Sequence, residues 1–276
     1  MKINLIMRGG LGNQLFQAAA GASLAKKFKV NVFLDDVSLA RHQDVTRRSW
    51  IRKIEVGKLF CEDLLRFRST RLTELRSRFA LDLSKRFAHS ESEINNLSSL
   101  TNSIQVYDWF HSSEYLPTDA LKLKKEMIKD LRKDFLISVT EISESNHAAV
   151  HIRLGDFKQT PWGVLSKKWY VSAIRQLASA GVTRVDCYSD DIPEAEEIIG
   201  ELKQDININF PEKKYQLMPH ELLWKLSNYK HYVSSNSTLS WWAAYLNQHE
   251  DPFIISAWGD HLHQRNWYQI DDFNNV

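Results

Sequence analysis

The sequence is poor in the residues that mark special protein classes. Its 276 residues include two cysteines, Cys61 and Cys187, 126 positions apart. No C-x-x-C pair occurs, which excludes a disulfide scaffold and a cysteine zinc site and suits a reducing compartment. Ten glycines and six prolines are too few for a collagen-like or linker-rich chain. Apolar runs extend only a few residues, too short for a membrane-spanning helix. The apolar start Ile3–Met7 is cut off by Arg8, so it does not read as a secretory signal. There is no internal repeat and no nucleic-acid-binding signature. These absences leave a globular, cytoplasmic protein as the expectation.

What is present fits that class. Apolar residues make up 43% and charged residues 25% of the chain, close to soluble averages. The length allows one large domain or two of roughly 130 residues. Nine Trp, nine Tyr and thirteen Phe supply a core and, equally, faces for stacking on sugar rings. The net charge of +2 is unevenly placed, because residues 41–90 hold thirteen Lys/Arg against six Asp/Glu. Within that block Phe60, Leu64, Phe67, Leu72, Leu75, Phe79, Leu83 and Phe87 recur at steps near three to four. The pattern predicts amphipathic helices with arginine flanks. Such helices either pack on the core with a solvated basic face or lean on anionic lipid headgroups.

The pattern along the chain is strand, turn, helix, strand: Lys2–Met7, a glycine turn at 8–13, Gln14–Lys27, and Val30–Leu34. Residues 41–135 read as mostly helical, with a break at Asn95–Thr101, a short strand at Ile104–Tyr107 and a helix over Thr118–Phe135. Beyond residue 140 strands and helices alternate regularly. Strands are predicted at Ala148–Arg153, Arg184–Tyr188, Lys230–Ser234 and Phe253–Ser256. Helices are predicted at Lys167–Ala180, Pro193–Lys203, His220–Ser227 and Ser240–Leu246. This order implies parallel sheets covered on both faces and two α/β domains facing a cleft.

Open parallel sheets bind ligands beyond the carboxyl ends of their strands, and four such ends carry unusual polar residues. Gly9-Gly10-Leu11-Gly12-Asn13-Gln14 offers backbone N–H groups at a helix start. It is neither a P-loop nor a good dinucleotide fingerprint, since Leu15 stands where a third glycine belongs. As a bare glycine turn it is equally a structural feature. His151-Ile152-Arg153-Leu154-Gly155-Asp156 places His151 and Arg153 on one face by alternation. An arginine fork there matches phosphate oxygens, and Gly155 lets the backbone turn close to a ligand. The plain alternative is a surface ion pair of Arg153 with Asp156. Asp190 and Asp191 follow a strand and could bind ribose hydroxyls, guanine N–H groups or a divalent metal, or cap the next helix. Ser235-Asn236-Ser237-Thr238 could hold a diphosphate with the following helix N-terminus, or merely cap that helix. Trp241 and Trp242 read as core.

Taken in order, these segments resemble one family. Gly9–Gln17, His151-Ile152-Arg153-x-Gly155-Asp156, Ser189-Asp190-Asp191 and Ser235-Asn236-Ser237-Thr238-x-Ser240-Trp241-Trp242-Ala243-Ala244 look like the bacterial α-1,2-fucosyltransferases, glycosyltransferase family 11. Gly163–Ser166, Trp169-Tyr170 and Ile254–Trp258 also fit. The resemblance implies a GT-B-like α/β fold of two Rossmann-type domains. The first, residues 1–140, would carry the basic helical insertion and the acceptor side. The second, residues 141–276, would bind the GDP-sugar. The resemblance further implies GDP-fucose as donor, a β-galactoside acceptor, inversion at the anomeric carbon and no metal or other cofactor.

By the same resemblance, Arg153 neutralises the β-phosphate of departing GDP. His151, Asp156, Asp190, Ser235, Asn236, Ser237 and Thr238 surround the nucleotide, with Asp191 beside them. Gly10, Gly12, Asn13 and Gln14 face the donor from the first domain. Many members carry a second arginine where this chain has Leu154, which alternation points away from the face of Arg153. Asp156 and then His151 are the candidate general bases; a base in the first domain and proton loss to water are the alternatives. The acceptor is expected to be a lipid-linked surface-glycan repeat, with the enzyme peripheral at the inner face of the membrane. Two other readings stand: a transferase for another GDP-sugar or linkage, and a non-catalytic glycan- or nucleotide-binding module. Saturable product formation separates them.

Overall fold

The computed structural model describes residues 2–35, 65–68, 87–88, 91–98, 103–117, 144–211, 217–258, 262, 264 and 267–270. The chain divides into two compact units, Met1–Leu136 and Ile137–Val276.

The first unit is built on a five-stranded parallel sheet in the order β3-β2-β1-β5-β4. Its strands are β1 (Lys2–Ile6), β2 (Asn31–Asp35), β3 (Leu65–Arg68), β4 (Phe87–Ala88) and β5 (Ser103–Val106). Helix α1 (Leu11–Phe28) connects β1 to β2. An alanine-rich sequence favours helix there. Lys26 and Lys27 lie in the last turn, where the helix dipole favours cations. Lys29 ends α1 in the left-handed conformation, its N–H donating to the Ala25 carbonyl. Helix α2 (Glu91–Ser98) precedes β5.

Two expectations fail in this unit. The basic segment is not continuously helical, because Leu65–Arg68 and Phe87–Ala88 are strands. Leu-Arg-Phe-Arg alternates with period two, which an edge strand can use and which a count of three-to-four steps overlooks. The expected break at Asn95–Thr101 overlaps the end of α2. The helix expected over Thr118–Phe135, and the rest of the basic segment, lie outside the described residues.

The second unit holds a six-stranded parallel sheet in the order β11-β10-β9-β6-β7-β8. Its strands are β6 (His147–Ile152), β7 (Arg184–Ser189), β8 (Asn207–Asn209), β9 (His231–Ser234), β10 (Ile254–Ser256) and β11 (Trp267–Tyr268). Counted from β6 this is the doubly wound order 3-2-1-4-5-6. All six residues of the central strand β6 are buried, as a strand covered on both faces requires. Four helices follow: α3 (Lys167–Ser179), α4 (Ile192–Ile199), α5 (Pro219–Leu226) and α6 (Thr238–Tyr245). Ser166, Asp191 and Ser237 cap α3, α4 and α6 through their side chains. Strands β8 and β11 are additions to the expected set. Two Rossmann-type units in succession match the fold class expected of a GT-B-like chain.

One core runs through the second unit, from Val150, Ile152 and Leu154 to Trp169, Ile174, Val185 and Val233. Leu154 is fully buried in it. The position where the resemblance implies a second arginine in many members is here a buried apolar one. Trp241 and Trp242 are buried as expected, and the Trp241 indole donates to the Leu262 carbonyl at 2.9 Å.

Candidate active site

In a doubly wound sheet the ligand crevice opens where the strand order reverses. In the second unit that point lies between β6 and β9. The carboxyl ends of these strands carry His151 and Arg153 on one side and Ser235–Thr238 on the other. Two of the four sequence segments therefore meet at one place, and β7 brings a third alongside.

Arg153 is the centre of the arrangement. Its Nη1 donates to Asp190 Oδ2 and its Nη2 to Asp156 Oδ1, each at 2.6 Å. The other Asp190 oxygen accepts the Leu154 N–H at 2.9 Å. Asp190 thus fixes both the arginine and the backbone that follows it. Gly155 is explained by the same carboxylate, since a Cβ at this position would collide with the Asp190 side chain. The sequence reading had assigned that close approach to a ligand. The Arg153 side chain is 29% exposed and that of Asp156 is 56% exposed. Two of the five guanidinium N–H donors are engaged, leaving the others for an anion.

His151 lies behind this pair, 2% exposed, with Nδ1 3.3 Å from the Ser235 hydroxyl. Burial first, and the Arg153 charge second, push its pKa down to about 3. The imidazole is neutral at physiological pH, and as a base it is far from the operating range. The geometry gives it a positioning role against Ser235.

Ser235 is fully buried; its hydroxyl accepts from the Ser237 N–H at 3.3 Å, and its own N–H donates to Ser240 Oγ at 2.8 Å. Ser237 accepts from the Ser240 N–H at 3.4 Å as the cap of α6. These two hydroxyls hold the turn that presents the helix start. Half-buried Thr238 opens the helix. Asn236 donates to the carbonyls of Gly163 at 3.0 Å and Trp162 at 3.4 Å, and its Oδ1 is buried without a partner. It pins to the crevice a loop whose Trp162 ring is 74% exposed. Trp162 was not among the residues singled out from sequence.

Asp191 separates from its neighbour. Its Oδ1 accepts the Glu194 N–H at 3.3 Å as the cap of α4, and its Oδ2 lies 3.5 Å from Lys158. The capping reading holds for Asp191. Adjacent residues at a strand end point to opposite sides, so only Asp190 reaches Arg153. Among the described residues no group of three or more His, Cys, Asp or Glu side chains is arranged to hold a metal ion.

The first unit has its own switch point, between β1 and β5. Gly9 takes a φ of +75°, a conformation open to glycine. Gly10 caps α1 without a side-chain bond, and Gly12 is buried within the helix. Gln14 is buried and donates to the Gly9 carbonyl at 2.8 Å, so it braces the turn. Asn13 is half-buried, its Oδ1 3.0 Å from His111 Nε2. Beyond β5, Tyr107, Trp109 and His111 turn toward this loop. The Arg8 guanidinium lies over Trp109 at 3.4 Å and over Tyr107 at 4.2 Å from the ring centroids. Arg8, Trp109 and His111 were missed because only the sheet order brings residues 107–111 to residues 8–13. The available signal was the polar and aromatic run directly after a predicted strand.

The chain is similar to several known proteins. The profile of Glycosyl transferase family 11 matches residues 67–266. The O-antigen biosynthesis glycosyltransferase WbnK of Escherichia coli is 28% identical, over 91% of this chain and 92% of its own length. An alpha-1,2-colitosyltransferase of Escherichia coli is 23% identical, over 98% of this chain and 93% of its own. Among solved structures, POFUT1 in complex with GDP has a TM-score of 0.47 at 13% identity, covering 98% of both chains. The profile spans the Arg153 crevice from end to end, and the chain belongs to glycosyl transferase family 11.

Proposed function

We propose that this chain transfers L-fucose from GDP-β-L-fucose, with inversion, to the 2-hydroxyl of a terminal β-galactoside during surface-polysaccharide synthesis. The observation that carries the reading is Arg153, fixed by two carboxylates at the switch point of the second unit. Family membership and the relatives' roles, O-antigen synthesis and α-1,2 transfer, support it.

The chemistry follows from the residues. Breaking the fucosyl–phosphate bond leaves negative charge on GDP and positive character on the sugar. Arg153 and the start of α6 are oriented before reaction to meet that negative charge, the kind of electrostatic help worth a few kcal/mol per donor. His151 and Ser235 set the strand ends that hold them. Asp156 is the better candidate for the acceptor proton, because its carboxylate is exposed and His151 is buried and weakly basic. The α-1,2-colitosyltransferase relative favours one second reading, in which the donor sugar is colitose, a fucose lacking the 3-hydroxyl.

The test is product formation from GDP-fucose and GDP-colitose with lactose, in EDTA. The reading expects saturable transfer from GDP-fucose without added metal. It further expects Arg153→Ala to lose at least about 100-fold in kcat, on the scale of removing one such donor. Near-normal turnover of that variant removes Arg153 from the mechanism. Preference for the colitose donor moves the function to the second reading.

A further inference from the structure

Among the described residues, the first unit holds a cation with no counter-charge. The Arg8 guanidinium packs on Trp109 and Tyr107, and its Nε is buried without an acceptor. Among the described residues it makes no ion pair and no side-chain hydrogen bond; only its backbone N–H is engaged, by Gln17 Oε1 at 3.0 Å. The Asp108 carboxylate accepts the Trp109 N–H through Oδ1 and, among the described residues, makes no ion pair with Arg8. Arginines this enclosed normally have a carboxylate partner, because partial burial of an unpaired charge is costly. Arg153 in the second unit has two. Stacking on aromatic rings offsets part of the cost, but it covers the guanidinium plane and leaves the N–H edges without acceptors. An edge of that kind takes a planar carboxylate or a phosphate in a two-pronged bond. Asn13 and His111, hydrogen-bonded to each other at 3.0 Å on the same loop cluster, supply amide and imidazole groups suited to sugar hydroxyls.

We propose that Arg8, with Asn13 and His111 beside it, forms an anion-recognising acceptor site, and that the acceptor carries an acidic group near the galactoside. The chemistry is a carboxylate or phosphate oxygen pair. Its source is an acid group on the acceptor, as distinct from the diphosphate of the donor. The inference rests on the transferase reading for the word acceptor, and on the Arg8 cluster alone for the anion.

The experiment compares lactose with two acidic β-galactosides, lactobionate and lactose 1-phosphate, using GDP-fucose as donor. Wild-type enzyme, Arg8→Gln and Arg8→Lys are tested, and GDP affinity is measured in parallel. The expected result is a kcat/KM for at least one acidic acceptor about tenfold or more above lactose, the scale of one charge-assisted bond. That ratio falls toward one in Arg8→Gln and is intermediate in Arg8→Lys, which keeps the charge without the fork. GDP affinity changes less than about twofold. Lactose turned over as well as both acidic acceptors by the wild-type enzyme overturns the proposal while leaving the transferase reading intact. A GDP affinity weakened tenfold or more in Arg8→Gln overturns it too, by assigning the anion to the donor. No turnover of any galactoside overturns the transferase reading instead. In that case inorganic pyrophosphate titrated into the GDP-saturated protein decides the site: Arg8-dependent binding upholds the anion site, and absence of binding overturns it. Arg8→Lys and the wild-type ratio keep the test decisive if Arg8→Gln does not fold.

Discussion

Arg153 and His151 stand two residues apart on one strand end, and the structure gives them opposite electrostatic settings. Arg153 is partly open and doubly paired, whereas His151 is enclosed and kept neutral beside it. This has a measurable consequence for stability. In the unfolded chain His151 takes up its proton near pH 6.5, and in the folded chain only near pH 3. As the pH falls through that window the unfolded state binds the proton first. Stability attributable to this residue is intact above pH 6.5 and falls by about 1.4 kcal/mol per pH unit as the pH drops toward 3. Denaturant titrations of wild type and His151→Gln at pH 7, 5 and 4 measure it. The wild type is expected to lose more stability than the variant over that range, and equal losses would place the imidazole elsewhere. At this scale the sequence showed that His151, Arg153 and Asp156 belong together, because strand alternation and a three-residue step are local facts. It did not separate Asp190 from Asp191. That distinction depends on which carboxylate reaches across from β7 to β6, a relation between strands.

The strand–helix alternation of the second unit was legible because each helix there carries its own start signal: Ser166, Asp191 with Pro193, Pro219 and Ser237. Strand β3 was hidden because its Phe67, taken with Leu64 just before the strand, also satisfies a helical count. Nothing local marked the polar network between β6, β7 and the end of α5. There Asp186 accepts from Asn209 at 2.9 Å and from the Tyr229 hydroxyl at 2.6 Å, with His147 Nε2 at 3.0 Å. The Tyr229 and Tyr188 hydroxyls meet at 2.7 Å. Burial and the Asp186 carboxylate push the Tyr229 phenol well above its ordinary pKa, so it remains a donor at every physiological pH. Asp186→Ala leaves three groups without their acceptor, at about 1–3 kcal/mol for each one orphaned. A loss of at least about 3 kcal/mol is expected in denaturant unfolding. The folded fraction should keep its GDP affinity, because His147 opens β6 at the sheet end opposite Arg153. Wild-type stability in this variant would show that water replaces the carboxylate.

At the scale of the molecule, each unit presents an arginine at the switch point of its own parallel sheet. Among the described residues, one of these arginines is satisfied from within and the other is not. On the transferase reading, the two are expected to respond differently to a nucleotide. GDP at about 100 times its dissociation constant stabilises a protein by about 2.7 kcal/mol. In EDTA that shift in melting midpoint is expected to survive in Arg8→Gln and to vanish in Arg153→Ala. Loss of the shift in both variants would make the two arginines parts of one nucleotide site. No helix of the described residues is long and apolar enough to cross a membrane. The membrane lean expected of the basic segment falls mostly on residues outside that set.

The pairing of β6 with β9 also dictates when the crevice can exist. His151 and Ser235 are 84 positions apart, and between them the chain must lay down two further strands and three helices. Parallel pairings of such long separation form slowly, because the loop must close before any contact rewards it. During synthesis, Arg153 and both of its carboxylates are complete long before the turn that faces them has left the ribosome. A chain arrested before residue 235 holds the cation and its two partners and has no wall to present them against. If the transferase reading holds, nucleotide binding is a late event in the life of this molecule, and it reports that the whole second unit has closed.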